Sequence, residues 1–163
     1  MNWRLFWLFL HVAAAIIAFG PTFTFPFIGA LTSRNPQAGH FSAELIHKLE
    51  SGLILPVALT MAVSGTGLII ASGLNLTKSP WLGAGIILYV VAVSIAFFVL
   101  LPGTSKLVDA TAGGPPPGGP PEGAPAGPPP HVAALIKKNQ QFGMILTALL
   151  MTIIFLMVVK PGG

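Results

Sequence analysis

The chain has 163 residues, of which 53% are hydrophobic and only 7% are charged. A soluble globular domain carries about a quarter charged residues, so this composition, with a mean hydropathy of +0.83, excludes that class and indicates a membrane protein. The net charge of +4 comes from basic residues scattered at the ends of apolar runs, which excludes a nucleic-acid-binding stripe, and the lack of cysteine excludes disulfides and thiol chemistry within the chain.

The first apolar segment runs from Trp3 to Phe19 and extends to about Ile28, long enough for a helix to cross a hydrocarbon core about 30 Å thick. It holds one ionisable side chain, His11, and passes through Gly20-Pro21 without a small-residue cleavage site, so we expect a retained anchor rather than a signal peptide. The face expected to pack on the other spans is small and polar: His11, Ala14, Ala15, Ala18 and Thr22.

A short amphipathic helix is predicted from Ser42 to Gly52, before the second span and at or below the inner membrane surface. Its apolar residues recur at helical spacing, whereas its charged residues, Glu50 among them, lie off that apolar face. Ser42 is the expected N-cap.

Three side chains near this predicted helix are candidate metal ligands. His40, Glu44 and His47 would share one face if the helix began early enough, which would permit a divalent metal site. A cap at Ser42 leaves His40 outside the helix, so two surface histidines are the preferred interpretation.

Three further spans are predicted at about residues 53–71, 81–101 and 142–159. In the second span Pro56 frees a backbone carbonyl one turn earlier and is expected to kink the helix. Each span has a face of small or polar residues suited to close packing. These faces are Pro56, Thr60, Ser64, Gly67 and Ala71 in the second span, Gly85, Tyr89, Ala92 and Ala96 in the third, and Gly143, Thr147 and Met151 in the fourth.

Residues 113–130 are Gly and Pro with three exceptions, Glu122, Ala124 and Ala126. Such a composition cannot build a core and favours an extended linker, or alternatively a docking strip for a partner. The predicted fold is therefore all-α: one domain, residues 1–163, that forms a four-helix transmembrane bundle with a pre-helix before span two and a Gly/Pro-rich loop between spans three and four.

Basic residues set the expected orientation. Both termini and the second loop carry three, Arg4, Lys78 and Lys160, whereas the first and third loops carry five, Arg34, Lys48, Lys106, Lys137 and Lys138. We therefore expect both termini outside and loops one and three in the cytoplasm, in a multi-pass protein of the bacterial plasma membrane.

His11 lies about 12 Å below the outer boundary if the helix rises about 1.5 Å per residue from Trp3. The same depth on the other spans holds Ser64 and Tyr89, so we predict a buried polar cluster of these three side chains. An unpaired imidazole in hydrocarbon costs several kcal/mol, which makes some such partner necessary.

The segment LHVAAAIIAFGPTFTFPF, the early proline of span two followed by SGTGL, the PW that opens span three and Pro102 at its close resemble the bacterial integral membrane family catalogued as domain of unknown function 2269. More distantly, a span-one histidine followed by a glycine turn is similar to the copper-resistance protein D family and its haem-handling relatives. The resemblance implies a two-ligand site, but the chain's other histidines, His40, His47 and His131, fall in predicted loops.

Three functions remain open at this level. The first is a non-catalytic accessory or structural subunit, with the bilayer and a larger complex or a second copy as partners. The second is a haem b or copper protein with His11 as ligand and Met61 or Met151 as a thioether partner. The third, a small-solute transporter, is disfavoured because the proline breaks lie near the span ends, and the residue spacing offers no usable catalytic constellation, so an enzyme is not favoured.

Overall fold

The computed structural model describes residues 2–113 and 128–161. Within these ranges the backbone is helical without strands, and four long helices are apolar and long enough to cross a membrane, which confirms the predicted fold class. Most of the predicted Gly/Pro linker, residues 114–127, lies outside the described residues.

Seven α-helical segments build the four long helices. The first long helix, Trp3–Arg34, joins α1 (Trp3–Phe19) to α2 (Phe25–Arg34) through a 3₁₀ turn at Pro21–Thr24. The second, Gly39–Ser72, joins α3 (Gly39–Leu49) to α4 (Leu55–Ser72), and the third, Pro80–Thr111, joins α5 (Pro80–Ile95) to α6 (Leu101–Thr111). The fourth is the continuous α7 (Pro130–Val159).

The four helices run alternately up and down. One end of the bundle, which we call the tryptophan end, brings Lys160 within 5.6 Å of the ring centroid of Trp81 and packs Trp7 beside Gly67. The opposite histidine end carries His40, His47 and His131. The second long helix finishes at the tryptophan end with Gly73 in the left-handed conformation (φ 62°), which a glycine adopts without steric cost.

The same irregularity interrupts the second and third long helices. A five-residue π-helical turn, Glu50–Ile54 or Ala96–Leu100, is followed after one leucine by a proline, Pro56 or Pro102. A proline lacks the backbone N–H and its ring clashes with the carbonyl four residues earlier, so the wider turn accommodates it without ending the helix. The predicted kink at Pro56 is therefore a π-turn, and an equivalent turn precedes Pro102.

Packing between α1 and α4, and between α5 and α7, is close in the tryptophan half, whereas α3 and α6 meet in the histidine half. The predicted faces of α1 and α5 agree well with the buried residues Ala14, Ala18, Gly85 and Ala92. The faces predicted for α4 and α7 are rotated from the observed ones. The structure buries Ala58, Met61 and Ser64 on α4, and Leu146, Leu150 and Ile153 on α7, and it exposes Pro56, Thr60 and Met151.

Candidate functional site

His11 contacts the second long helix where α1 and α4 pack most closely. Its Nδ1 lies 3.1 Å from the carbonyl oxygen of Met61 and 3.3 Å from Oγ of Ser64, which is only 1% exposed and itself donates to the Met61 carbonyl. A carbonyl only accepts, so the bond to Met61 places the proton on Nδ1 and leaves Nε2 as the unprotonated nitrogen. The imidazole is thus oriented by the backbone of α4.

Tyr89 does not join this pair. Its hydroxyl donates to the carbonyl oxygen of Ala58, on α4 one turn nearer the histidine end than Met61. The predicted cluster is therefore divided: the structure brings His11 and Ser64 together and gives Tyr89 a separate acceptor. Depth alone did not predict this, because a long tyrosine side chain reaches beyond the level of its own Cα.

The two methionines considered as thioether partners are placed differently. Met61 is 5% exposed and meets His11 through its carbonyl oxygen, whereas Met151 is 55% exposed on the outer surface of α7. The imidazole instead lies against Gly65, where a Cβ atom would be 3.0 Å from Cε1 of His11. A glycine at this position permits the close approach of the two helices.

The three candidate metal ligands before span two point to different partners. Contrary to the expected N-cap at Ser42, α3 begins at Gly39 and Ser42 is buried, accepting a hydrogen bond of 2.7 Å from the Thr32 hydroxyl. Nδ1 of His40 lies 3.2 Å from Oγ1 of Thr111, and Glu44 pairs with Lys48 at 2.7 Å. Among the described residues no group of three His, Cys, Asp or Glu side chains is placed to hold a metal ion.

His47 belongs to a cluster that the sequence pattern did not predict. Glu50, expected off the apolar face of the pre-helix, is 7% exposed, and its carboxyl oxygen lies 2.6 Å from Oγ1 of Thr104, which is 5% exposed. Nδ1 of His47 lies 3.2 Å from the same hydroxyl oxygen. We call these three residues, His47, Glu50 and Thr104, the Glu50 site.

One signal in the sequence could have located this site. Glu50 follows Ser42 by eight residues and Ile46 by four, so the three share a helical face, and all three turn toward the bundle. The apolar residues Phe41 and Leu45 of the same helix face outward instead. The prediction grouped Ile46 with the apolar face and set Glu50 apart from it, whereas the spacing of four residues puts Ile46 and Glu50 on the same side of the helix.

Next to the Glu50 site, α7 supplies a buried amide. Asn139 packs against Gly103, the residue before Thr104, and neither its Oδ1 nor its Nδ2 has a hydrogen-bond partner among the described residues. Buried amides are normally hydrogen-bonded, so this one marks the layer as unusually polar and incompletely satisfied.

A surface groove opens beside the same cluster. His47 forms one wall, and the other wall comes from the third long helix at its π-turn and the start of α6: Phe97, Phe98, Leu101, Pro102 and Ser105. His47 therefore has one nitrogen on the buried hydroxyl of Thr104 and its ring on an open groove.

A family model, described as Predicted integral membrane protein (DUF2269), matches residues 5–161 of the chain. No curated protein and no solved structure matches it. The resemblance based on the segment around His11 is confirmed by the family match, whereas the similarity to copper-resistance protein D stays a prediction.

Proposed function

Since the chain belongs to the family Predicted integral membrane protein (DUF2269), whose description names a location and no activity, we propose that it acts as a non-catalytic accessory subunit of a larger membrane assembly. The observation that carries this proposal is an apolar surface at the histidine end. We call it the docking face; it consists of Phe27, Leu31, Phe41 and Leu45, all exposed.

The docking face lies beyond the thickness that lipid tails alone would cover. Phe27 is 24 residues from Trp3, or about 36 Å along a helix, compared with a hydrocarbon core of about 30 Å. The Thr32–Ser42 hydrogen bond joins α2 to α3, so the two helices that carry the face are held together. Exposed apolar surface of this kind is typical of a protein contact.

Polar side chains in the tryptophan half of the bundle also suit a packing role. His11 and Tyr89 each bond a backbone carbonyl of α4 and so tie helices to one another. Such bonds between transmembrane helices contribute about 1 kcal/mol each, which favours a fixed scaffold.

Site-specific photocrosslinking tests the docking face in intact membranes. A photoreactive phenylalanine analogue at Phe41 is expected to give an adduct heavier than two copies of the 16.9 kDa chain, whereas the same probe at the exposed Lys138 of α7 is not. An adduct with the mass of two chains would assign the face to a second copy instead, and a probe at Phe41 that labels only lipid would contradict the accessory role.

A second candidate, haem b or copper binding through His11, is favoured by one specific observation. Metal-bound histidines usually donate their other ring N–H to a carbonyl or carboxylate, and the His11 Nδ1–H faces the Met61 carbonyl in this way. The free Nε2 of this half-buried side chain is the nitrogen that would coordinate the metal.

Absorbance and metal analysis of the detergent-purified protein separate the two candidates. Haem binding predicts a Soret band, and copper binding predicts copper in the metal analysis. Either signal should disappear in His11→Ala and persist in His131→Ala, which removes an exposed histidine. Colourless, metal-free protein would overturn the second candidate and would be consistent with the accessory role.

A further inference from the structure

We propose that the Glu50 site binds a proton reversibly, taking it from the groove beside the site through His47 and Thr104. This goes beyond the accessory role, since it assigns a proton-exchange chemistry to a different part of the bundle from the docking face. It rests on the geometry of one hydroxyl group, on the charges around Glu50 and on the position of the groove.

The Thr104 hydroxyl is surrounded by more acceptors than it can serve. Its Oγ1 lies 2.6 Å from the Glu50 carboxyl oxygen, 3.1 Å from the Leu100 carbonyl, 3.0 Å from the Leu101 carbonyl and 3.2 Å from Nδ1 of His47. A threonine hydroxyl has one hydrogen to donate and two lone pairs to accept with. At least one neighbour must therefore bring a proton of its own, and only Glu50 and His47 can.

Glu50 has no cationic partner to stabilise a buried negative charge. Among the described residues the Lys48–Glu44 bridge is the single ion pair. An isolated ionised carboxylate out of water is costly, and a group in that position takes up a proton instead. The other charged groups at this end lie on the surface of the helices packed around the site: Arg34, Lys48, Lys106, Asp109, Lys137 and Lys138.

His47 connects the buried carboxyl to the outside. Its ring lines the groove shared with Pro102 and Ser105, while its Nδ1 reaches Thr104. From Glu50 toward the tryptophan end, the next buried residues of the two π-turns are the apolar Ile54 and Leu100. The site therefore opens sideways into the groove, while buried apolar residues separate it from the tryptophan end, so it loads and releases a proton through the groove.

The transfer balances with one proton. A proton from groove water binds Nε2 of His47, Nδ1–H passes its proton to Oγ1 of Thr104, and the Thr104 hydroxyl proton moves to the Glu50 carboxylate. His47 returns to its neutral form with the proton on Nε2, and Glu50 becomes a neutral acid. Release reverses each step, and no bond other than O–H and N–H bonds forms or breaks.

Infrared difference spectroscopy of the whole protein in lipid vesicles tests the proposal. We expect a protonated carboxyl C=O band at neutral pH that is lost in Glu50→Gln and kept in Glu44→Gln, the matched change at the exposed carboxylate of the same helix. Gln has the shape of the protonated acid and still accepts from Thr104, so the Glu50→Gln chain should fold. A spectrum in which Glu50→Gln removes no such band overturns the proposal.

Hydrogen–deuterium exchange of that band tests the route. Thr104→Val keeps the shape of the side chain and removes the hydroxyl, and His47→Gln removes the imidazole ring. Each is expected to slow exchange of the Glu50 proton by about tenfold, the size of effect that one lost hydrogen bond produces. Exchange as fast in either variant as in the unmodified protein would overturn the route through His47 and Thr104.

Discussion

At the scale of single residues, the contact between α1 and α4 depends on glycine at position 65. A Cβ atom there would lie 3.0 Å from Cε1 of His11, closer than side chains normally approach, and the imidazole is fixed by its bonds to Met61 and Ser64. Forcing extra atoms into a packed contact costs about 1–3 kcal/mol. We expect Gly65→Ala to lower the thermal unfolding temperature of the protein in detergent.

Gly83 provides the matched control for that substitution. It lies inside α5, and a Cβ atom added there meets nothing within 4 Å. Gly83→Ala should therefore leave the unfolding temperature unchanged or raise it slightly, since alanine is a better helix former by about 1 kcal/mol. Equal destabilisation by the two substitutions would contradict the role given to Gly65.

Asn139 permits a prediction of the opposite sign. Both polar atoms of its amide are buried without a partner among the described residues, a loss of about 1–3 kcal/mol for an unsatisfied group. Asn139→Leu, which has a similar volume, is expected to raise the unfolding temperature, while Gln140→Leu at the exposed neighbouring position should not. If Asn139→Leu lowers it, the amide has a partner in the membrane that stabilises the fold.

At the scale of elements, the π-turn at Glu50–Ile54 takes up one extra residue in the second long helix. A π-turn contains one residue more than the equivalent α-helical stretch, so deleting one residue should restore a regular α-helix and leave the rotation of α3 relative to α4 unchanged. Deleting Gly52 is then expected to keep the protonated carboxyl band but to lower the unfolding temperature, because the Pro56 ring then meets the carbonyl four residues earlier. Inserting one alanine after Gly52 adds a residue that the turn does not take up, so it should rotate α3 by about 100°, separate Glu50 from Thr104 and abolish the band.

Gly52→Ala is the control for the deletion, because a Cβ atom at this exposed position meets nothing within 4 Å. The substitution keeps the number of residues in the turn and should keep the carboxyl band. A deletion variant that loses the carboxyl band while Gly52→Ala keeps it would contradict this account of the π-turn.

The elements also show what the sequence can and cannot specify. The apolar segments predict the four spans well. In hydrocarbon the backbone N–H and C=O groups have no water to bond, and a helix pairs them all within one segment. Pro56 predicts a disturbance in the helix, but the type of turn depends on how the neighbouring helices pack. Ordinary helical spacing puts Glu50 on the same face as Ser42 and Ile46, but which face of α3 turns toward the bundle depends on that packing.

The Ser42 prediction was wrong because of a tertiary contact. A serine before an apolar run favours an N-cap, yet here the Thr32 hydroxyl of α2 bonds its side chain, and α3 starts three residues earlier at Gly39. The partition of the polar cluster was unpredictable for a similar reason. Sequence placed His11, Ser64 and Tyr89 at one depth, but it could not give the rotation of α4 that offers Tyr89 a separate carbonyl.

At the scale of the whole molecule, the long helices exceed what a bilayer requires. They contain 30 to 34 residues, which corresponds to about 45–51 Å compared with a hydrocarbon core of about 30 Å. The His40–Thr111 and His47–Thr104 contacts keep the second and third long helices together over the excess length. The histidine end is therefore expected to project from the membrane as a folded part of the bundle.

The lack of cysteine makes the orientation easy to measure. Single cysteines at Ser79, at the tryptophan end, and at Ser33 and Asp109, at the histidine end, can be labelled in cells with a membrane-impermeant maleimide. If both termini are outside, the cysteine at Ser79 is expected to be labelled in intact cells, and the cysteines at Ser33 and Asp109 only after permeabilisation. The reverse pattern would place the Glu50 groove and the docking face outside the cell.

Pairing of the polar side chains has a consequence for the order of membrane insertion during synthesis. His11 finds Met61 and Ser64 within the first two long helices, so this hairpin can satisfy its imidazole before the third long helix has left the ribosome. The Tyr89 hydroxyl bonds the Ala58 carbonyl, and so it joins the newly inserted third long helix to a hairpin already in place. A chain assembled in this order would never expose its intramembrane histidine to lipid for longer than the translation of one helix.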